Sequence, residues 1–309
     1  RALRMTRALR MTGALRMTGA LGMFLLILAA CSAGERPRGS SANVMVDDFG
    51  DTVRLDSAAT RIVSLNPTTT EILFAIGVGS RVVGRTKWDS WPDSAKHVPD
   101  VGDALRPNVE SVLAAKPDLV VLYANNDNRT AAAQLRAAGV RTVAMRVDSI
   151  AEFQRVTMLL GRLVGEEARA KNVVDSVQGT LDRVRQATST LPKVSVFYHT
   201  WEKPIITIGR HSFLNELVEI AGGTNVYGDV KAVSPIVTME DIVARNPDVL
   251  LVGPKTAREI LASRTWRVVP AVKARKVFAY DTMVVGRPSV TLGMAAVNIA
   301  NLLHPGVIR

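Results

Sequence analysis

An internal repeat constrains the fold of this chain more than any other feature. The segments Asn108–Asp118 and Thr238–Asp248 lie 130 positions apart and share, without a gap, a glutamate, a branched apolar pair, an alanine and a closing Pro-Asp. An apolar run that predicts a strand follows each copy. A repeat of this length predicts two homologous lobes that present Glu110 and Glu240 from equivalent places.

A second, weaker repeat supports the same organisation. Residues 71–84 resemble residues 215–228, at an offset of 144. Because this offset exceeds the first one, lobe one carries an extra stretch between Gly84 and Asn108. That stretch contains two of the four tryptophans of the chain.

The first 31 residues predict export. They are basic through residue 19, with five arginines and no acid, and an apolar run of 11 residues follows. Such a run is too short to cross a bilayer core of roughly 30 Å and is typical of a signal peptide. Cys31, the only cysteine, follows Leu28-Ala29-Ala30 in a pattern that resembles a bacterial lipobox. We expect residues 1–31 to form a lipoprotein signal, with two acyl chains on Cys31 holding the protein on a membrane.

Composition bounds the remainder of the chain. Residues 32–41 are rich in Gly, Ser, Pro and Arg, which predicts a flexible tether. The tether and the lead-in to the first lobe together span residues 32–59. The formal net charge of +11 includes the five leader arginines, and no long basic block or basic stripe with interleaved aromatics follows. This pattern argues against a nucleic-acid partner. With no cysteine pairs, stability must come from packing, and the length favours two domains.

Strands and helices alternate with short connections, which predicts parallel sheets wrapped by helices. We expect an N-terminal lobe over residues 60–148 and a C-terminal lobe over residues 191–309. Between them, Ser149 caps an apolar pattern of helical period that reaches Leu191. The expected fold is therefore α/β, with two similar lobes, one long rigid helix over residues 149–190, about 50 Å long, and a ligand cleft between the lobes.

Catalytic motifs are missing from the sequence. There is no Gly-x-Ser-x-Gly, His-Glu-x-x-His or P-loop, and no close carboxylate pair stands out as acid and base. The four histidines lack the clustered ligands of a first-row metal site. We expect no enzyme and no resident cofactor or metal. A lipid-anchored hydrolase is a remote alternative.

Several motifs together resemble a known family. They are residues 61–71, residues 83–92, the two Glu and Pro-Asp repeats, and Gly222-Gly223-Thr224-Asn225-Val226. In this order around a long helix, they are similar to the class III substrate-binding proteins of bacterial ABC importers, and most similar to the cobalamin-binding branch. The similarity covers residues 60–304. It implies a monomeric, extracytoplasmic receptor that closes little and delivers a metal chelate to a permease.

The resemblance also implies roles for both repeat glutamates. Glu110 and Glu240 match the residues that dock onto arginines of the transmembrane dimer in this family. Equivalent carboxylates on two similar lobes would suit two equivalent basic sites on a homodimeric partner. The alternative is that both are first-turn residues that favour the helix dipole.

A flat corrin or porphyrin ligand would need aromatic walls at strand ends. Trp88, Tyr123 and Asp281 match ligand contacts of the cobalamin branch, whereas Ala104 and Ser234 replace aromatic residues of that branch. The expected ligand-binding residues are Asn66, Trp88, Trp91, Tyr123, Tyr198, Trp201, Asp281 and Arg287.

A ferric siderophore or haem is the alternative cargo. An anionic siderophore would need cations in the cleft, for which Arg85, Lys87, Arg210 and Arg287 are candidates. His199 is a candidate neighbour of a haem iron, against the simpler interpretation of a strand-end histidine satisfied by a hydrogen bond.

Overall fold

The computed structural model describes residues 43–55 and 57–308. The predicted signal peptide, Cys31 and the tether through residue 42 lie outside these residues. Ser41–Arg309 form one compact unit, which is the expected behaviour of a region that folds by itself. No helix in the described part of the chain is long and apolar enough to cross a membrane.

Lobe one consists of an antiparallel hairpin and a four-stranded parallel sheet of order β4-β3-β5-β6. Its strands are β1 (Asn43–Val46), β2 (Thr52–Leu55), β3 (Ile62–Leu65), β4 (Val82–Gly84), β5 (Leu119–Tyr123) and β6 (Arg141–Met145). Its helices are α1 (Pro67–Ala75), α2 (Val109–Ala114) and α3 (Asn126–Ala137), with 3-10 turns at Gly79–Arg81 and Asp93–His97. Strands β3 and β5 are buried throughout their apolar length, as expected for the centre of a sheet covered on both faces.

The predicted single helix between the lobes is two helices. Helix α4 (Ile150–Val164) ends at Gly165, whose left-handed φ of 73° stops the helix, and α5 (Glu167–Thr188) begins two residues later. The helices fold back on each other, because Gln154 Nε2 donates to Gln178 Oε1 at 2.6 Å.

The prediction of one continuous helix over residues 149–190 was therefore wrong, because the chain turns between Val164 and Glu167. The apolar pattern continues through the break because both helices face the same core. Helix α5 links the lobes, since it packs on α4 and also on helices of lobe two. Its 22 residues span about 33 Å.

Lobe two repeats the sheet of lobe one in the order β10-β7-β11-β12, again fully parallel. Its strands are β7 (Val194–Tyr198), β8 (Trp201–Glu202), β9 (Ile205–Ile206), β10 (Gly223–Asn225), β11 (Val249–Val252) and β12 (Val277–Ala279). Its helices are α6 (Phe213–Ile220), α7 (Met239–Arg245), α8 (Pro254–Ala262), α9 (Pro270–Lys273), α10 (Thr282–Val285) and α11 (Leu292–Leu303), with a 3-10 turn at Trp266–Val268.

The two lobes agree in backbone detail as well as in strand order. In each, the first strand is internal and the second lies at the edge. Lys116 and Asn246, which are equivalent in the repeat, both adopt left-handed backbone conformations, with φ of 49° and 47°. The predicted fold of two similar α/β lobes is confirmed.

One hydrophobic core extends through both lobes. It contains Val121 of lobe one, Leu160 of α4, Leu181 of α5, and Leu251 and Ile299 of lobe two. Protein interiors are close-packed and resist deformation. A shared core of this kind opposes large hinge motion between the lobes.

Candidate ligand cleft and docking surface

The Pro-Asp of each repeat ties a helix-to-strand turn to the start of the neighbouring strand. Asp118 Oδ2 accepts from the backbone N–H of Thr60 at 2.9 Å and from its hydroxyl at 2.7 Å. Asp248 Oδ2 accepts from the same two groups of Ser195 at the same distances. Burial opposes the ionised form of Asp118, but these hydrogen bonds outweigh it and lower its pKa. The hydrogen bonds from Ser195 lower the pKa of Asp248.

Glu110 and Glu240 occupy the same position in their lobes. Each is the second residue of a short helix, α2 or α7, whose first turn is capped by the side chain of Asn108 or Thr238. Both glutamates are exposed, and within the described residues neither forms an ion pair. Hydrogen bonds from its own backbone N–H and from Thr238 lower the pKa of Glu240. Two unpaired carboxylates are thus presented from equivalent surfaces.

The carboxyl ends of the two sheets meet at a buried ion pair. Glu71 lies in α1, which starts directly after β3, and Arg287 lies beyond β12 in lobe two. Arg287 Nε is 2.9 Å from Glu71 Oε1, and the Glu71 side chain is 3% exposed. Ligand sites in parallel α/β sheets lie at the carboxyl ends of the strands. The ion pair joins the two lobes, and on this general ground we assign it to the floor of the candidate cleft between them.

A second buried carboxylate lies close to this floor. Asp89 Oδ2 accepts from the Thr70 hydroxyl at 2.5 Å, and Asp89 Oδ1 accepts from the Thr86 hydroxyl at 2.6 Å. Burial raises the pKa of Asp89. Burial also raises the pKa of Glu71, and the charge of Arg287 offsets part of that rise. Two acids and one guanidinium leave the floor polar but without an unpaired cation.

Large apolar side chains are exposed in both lobes, on segments that follow sheet strands, and we assign them to the walls of the candidate cleft. In lobe one, Trp88 is 57% exposed and Leu105 is also exposed. In lobe two, Trp201 is 62% exposed and Ile236 is 67% exposed. Exposed apolar groups that cluster at a cleft mark a binding surface. The two tryptophans were predicted from sequence, whereas Leu105 and Ile236 were not.

The lobe-two wall is a small antiparallel flap. Trp201 of β8 pairs with Ile206 of β9, and Ile206 in turn pairs with Ile236. Residues directly opposite each other in a ladder place their side chains on the same face. Trp201, Ile206 and Ile236 thus form a continuous apolar strip. Alternation around residues 201–206 and 236 was too short to reveal this strip in the sequence.

The structure moves three predicted ligand contacts out of the cleft wall. Tyr198 is 1% exposed and stacks on Tyr280, so its ring lies in the core and not on a surface. Trp91 instead lines a groove of ≈590 Å³ between the end of α1 and α5. Asn66 is nearly buried, and its side chain caps α1 by accepting from the Thr68 N–H.

Tyr123 and Asp281 remain near strand ends. The Tyr123 hydroxyl donates to both carboxylate oxygens of Asp148, at 2.7 and 2.8 Å. Burial and then this hydrogen bond raise the pKa of Tyr123. Its ring closes a polar pocket of ≈330 Å³ that also contains Arg129 and Arg146. Asp281 follows β12 and is exposed.

The candidate cations of the cleft are occupied within the protein. Lys87 Nζ lies 2.8 Å from Asp103 and 4.9 Å from the centre of the Trp88 ring. Arg85 and Arg210 donate to backbone carbonyl groups. Lys87 and Arg287 are therefore the two candidates with a carboxylate partner, whereas Arg85 and Arg210 have backbone hydrogen bonds but no ion pair within the described residues.

His199 has a structural environment. It is buried, and its Nε2 lies 2.8 Å from Glu202 Oε2. The other carboxylate oxygen of Glu202 accepts from Trp266 Nε1 at 3.1 Å. This network attaches the flap to the lobe, in agreement with the simpler interpretation of a satisfied strand-end histidine. No group of three or more metal-ligating side chains occurs among the residues the structure describes.

Two parallel-sheet lobes, linked by one helix and a shared core, are the architecture of a bilobal binding protein. Comparison with known proteins identifies the family: a model described as periplasmic binding protein matches residues 62–283, and the chain belongs to this family. It is thus a substrate-binding protein of the ABC transporter type, in a family whose members are binding proteins of transporters and not enzymes. Its relatives act in the periplasm or otherwise outside the cytoplasm.

Three similar proteins illustrate the range of the family. The uncharacterized ABC transporter substrate-binding lipoprotein YvrC of Bacillus subtilis (strain 168) is 29% identical, covering 92% of this chain and 95% of that protein. The vitamin B12-binding protein of Yersinia pestis (strain Pestoides F) is 26% identical over 70% of this chain and 78% of its own length. The periplasmic heme-binding protein RhuT of Roseiflexus sp. RS-1 superposes with a TM-score of 0.72 at 25% identity, covering 81% of this chain and all of RhuT.

Proposed function

We propose that this protein captures cobalamin in the interlobe cleft and delivers it to an ABC permease. The observation that carries the proposal is the pair of exposed apolar walls, centred on Trp88 in lobe one and Trp201 in lobe two. A corrin ring presents flat apolar faces that such walls would cover. Similarity to a vitamin B12-binding protein over 70% of the chain supports this cargo.

The charge of the cleft favours cobalamin over the alternatives. Cobalamin carries amide groups at its edge and little net charge, whereas haem and most ferric siderophores are anionic. Anionic cargo would need free guanidinium or ammonium groups. Lys87 and Arg287 already form ion pairs with carboxylates of the protein, and Arg85 and Arg210 already donate to backbone carbonyl groups. Similarity to the heme-binding RhuT keeps haem as the second candidate, and Arg129 and Arg146 beside Tyr123 are the cations that could hold its carboxylates.

The cargo is tested by calorimetric titration of the chain from Ser41, with cyanocobalamin, haemin and a ferric siderophore as separate ligands. We expect sub-micromolar binding of cyanocobalamin and weak binding of the other two. Trp88→Ala and Trp201→Ala should each weaken cobalamin binding, since each removes a large apolar contact. Met294→Ala, which truncates an exposed apolar side chain on α11, is the matched control. Tighter binding of haemin than of cobalamin would reject the proposed cargo.

We propose further that Glu110 and Glu240 dock onto two equivalent basic sites of the permease dimer. Their matched positions, exposure and lack of ion pairs support this role. The double variant Glu110→Arg with Glu240→Arg should abolish uptake and leave cargo affinity unchanged. The control replaces Asp127 and Glu167, two exposed first-turn acids of α3 and α5, by arginine. Normal uptake by the first variant would exclude docking through these residues.

The proposed receptor is a monomer held on a membrane by lipid at Cys31. It needs no cofactor, because the cargo brings its own metal, and it performs no chemistry on that cargo. The B. subtilis relative is itself described as a lipoprotein, which supports the anchor. Cys31→Ala should move the protein from the membrane fraction to the soluble fraction. Retention of that variant on membranes would reject lipid anchoring at this position.

A further inference from the structure

The positive charge of the folded region is concentrated in one segment of lobe two. Residues 254–276 contain seven lysines and arginines and a single acid, Glu259, for a net charge of +6. Residues 43–253 and 277–309 together carry a net charge of −1. The absence of long basic blocks had suggested that the positive charge is spread over the protein. It is instead concentrated in this one segment.

This basic segment, defined as residues 254–276, is a compact surface substructure. It comprises α8, the 3-10 turn and α9, which pack against one another. Its apolar residues, including Ile260, Trp266 and Val272, point into the core of lobe two. All seven cations are consequently on the outside and exposed to solvent. They are Lys255, Arg258, Arg264, Arg267, Lys273, Arg275 and Lys276.

The cations of the basic segment are largely free of internal partners. Lys255 lies 3.8 Å from Glu259 in an exposed pair. Arg264, Arg267 and Lys273 form no ion pair with any residue that the structure describes. Concentrated and unpaired charge produces a local positive potential that attracts anionic surfaces.

The second part of the segment, residues 263–276, has no counterpart in lobe one. There, α3 ends at Ala137 and β6 starts at Arg141, whereas α8 ends at Ala262 and β12 starts only at Val277. The inserted residues also carry Val268, which is 50% exposed. An apolar side chain exposed among cations is the combination that suits the headgroup region of a bilayer.

The position of the segment favours a bilayer over other polyanions. Thr265 and Val268 line a groove of ≈600 Å³ together with Glu240 and Met239 of α7. A surface next to Glu240 would lie near the bilayer when the protein docks on a membrane partner. Nucleic-acid surfaces rely on exposed aromatics between the cations, and the only tryptophan of the segment, Trp266, is 2% exposed.

We propose that the basic segment binds anionic phospholipid surfaces and holds lobe two against the membrane. This inference goes beyond the proposed function. The location of the segment beside Glu240 supports it only if Glu240 docks as proposed, whereas the concentration of positive charge supports it independently. Each lysine or arginine near an anionic membrane contributes about a fivefold increase in partitioning. The attraction is screened by salt over about 10 Å at 0.1 M.

The test is vesicle sedimentation with the chain from Ser41, which lacks Cys31 and so excludes any effect of lipidation. Vesicles of phosphatidylcholine with 30 mol% phosphatidylglycerol are compared with vesicles of pure phosphatidylcholine. The protein should sediment with the anionic vesicles at low salt, and 0.5 M NaCl should release it. Arg264→Glu combined with Arg267→Glu and Lys273→Glu should lower the partition coefficient by at least about 100-fold, which is the effect of losing three cations before the repulsion of the new carboxylates is added.

The matched control reverses three exposed arginines elsewhere: Arg54, Arg162 and Arg183. It changes the total charge equally, and we expect partitioning to fall less than about fivefold, the contribution of a single cation. Equal losses in both variants, absence of binding, or equal binding to both vesicle types would overturn the proposal. Tighter binding to heparin than to anionic vesicles would also overturn it, in favour of a soluble polyanion. Cargo titration of the same variants keeps this result separate from the proposed function.

Discussion

The buried ion pair between Glu71 and Arg287 is the sharpest point at which to perturb the cleft floor. Arg287→Met removes the guanidinium but keeps a side chain of similar length. It leaves the Glu71 carboxylate, whose side chain is 3% exposed, without its cation. Breaking a buried pair by removing one partner costs about 3–5 kcal/mol of unfolding free energy.

The corresponding loss of thermal stability is large. A domain of this size loses roughly 2 °C of melting temperature for each kcal/mol. Arg287→Met should therefore lower the melting temperature by roughly 6–10 °C at pH 8. The double variant Glu71→Gln with Arg287→Met removes both charges and should recover most of this loss.

The size of the loss should depend on pH in a defined direction. Burial already raises the pKa of Glu71, and Arg287 counteracts that rise. A carboxyl group whose pKa is higher in the folded state than in the unfolded state stabilises the fold at low pH. That stabilisation is lost as the pH rises through the folded-state pKa. Without Arg287 the folded pKa of Glu71 rises further, so the penalty grows with pH and shrinks toward pH 4.

Calorimetric or fluorescence melts of the chain from Ser41 at pH 4, 6 and 8 measure this dependence. The reasoning would be refuted by a melting-temperature gap that is the same at all three pH values. A decrease in melting temperature of less than about 1 °C at pH 8 would also refute it, because this corresponds to less than about 0.5 kcal/mol of unfolding free energy. Such a result would show that solvent stabilises the Glu71 carboxylate in place of Arg287.

Three further predictions use other parts of the structure. Gly161→Ala should lower the free energy of unfolding in urea by about 1–3 kcal/mol, because the new methyl group would lie 2.4 Å from Ala170 Cβ. Gly179→Ala is the control: its methyl group would have nothing within 4 Å, and it should raise the free energy of unfolding by about 0.5–1 kcal/mol. Asp118→Asn should lower the melting temperature at pH 7, and this gap should shrink as the pH falls through the lowered folded-state pKa of Asp118, because the stability contributed by the ionised carboxylate is lost there. A gap that does not shrink in acid would contradict the charge argument. Trp201→Ala should weaken cargo binding roughly tenfold or more by titration and leave the melting temperature within about 2 °C, as expected for an exposed side chain; a large loss of stability would instead assign Trp201 a packing role.

Periodicity and repeats were sufficient to predict the two parallel sheets, but they could not reveal where a helix doubles back. The apolar pattern of α4 continues into α5 because both helices face one core. A continuous helix and a hairpin therefore produce the same pattern, and only the left-handed Gly165 distinguishes them. Sequence spacing records which face is apolar, not what lies opposite it.

The site was predictable to a smaller extent. Trp88 and Trp201 follow strands and are exposed, as expected, whereas Tyr198 ends a strand with its ring in the core. Neighbouring positions at a strand end point to opposite sides, so a difference of register decides which aromatic faces the cleft. Pairing of Arg287 with Glu71 joins residues 216 positions apart, which no local pattern indicates.

The shared core has a consequence for the traffic of receptors. Because it opposes hinge motion between the lobes, we expect the spacing of Glu110 and Glu240 to be the same with or without cargo. Under the proposed docking, empty and loaded copies would then compete for the same transporter. Import would depend on the fraction of receptors that are filled, and an excess of empty receptor would slow it.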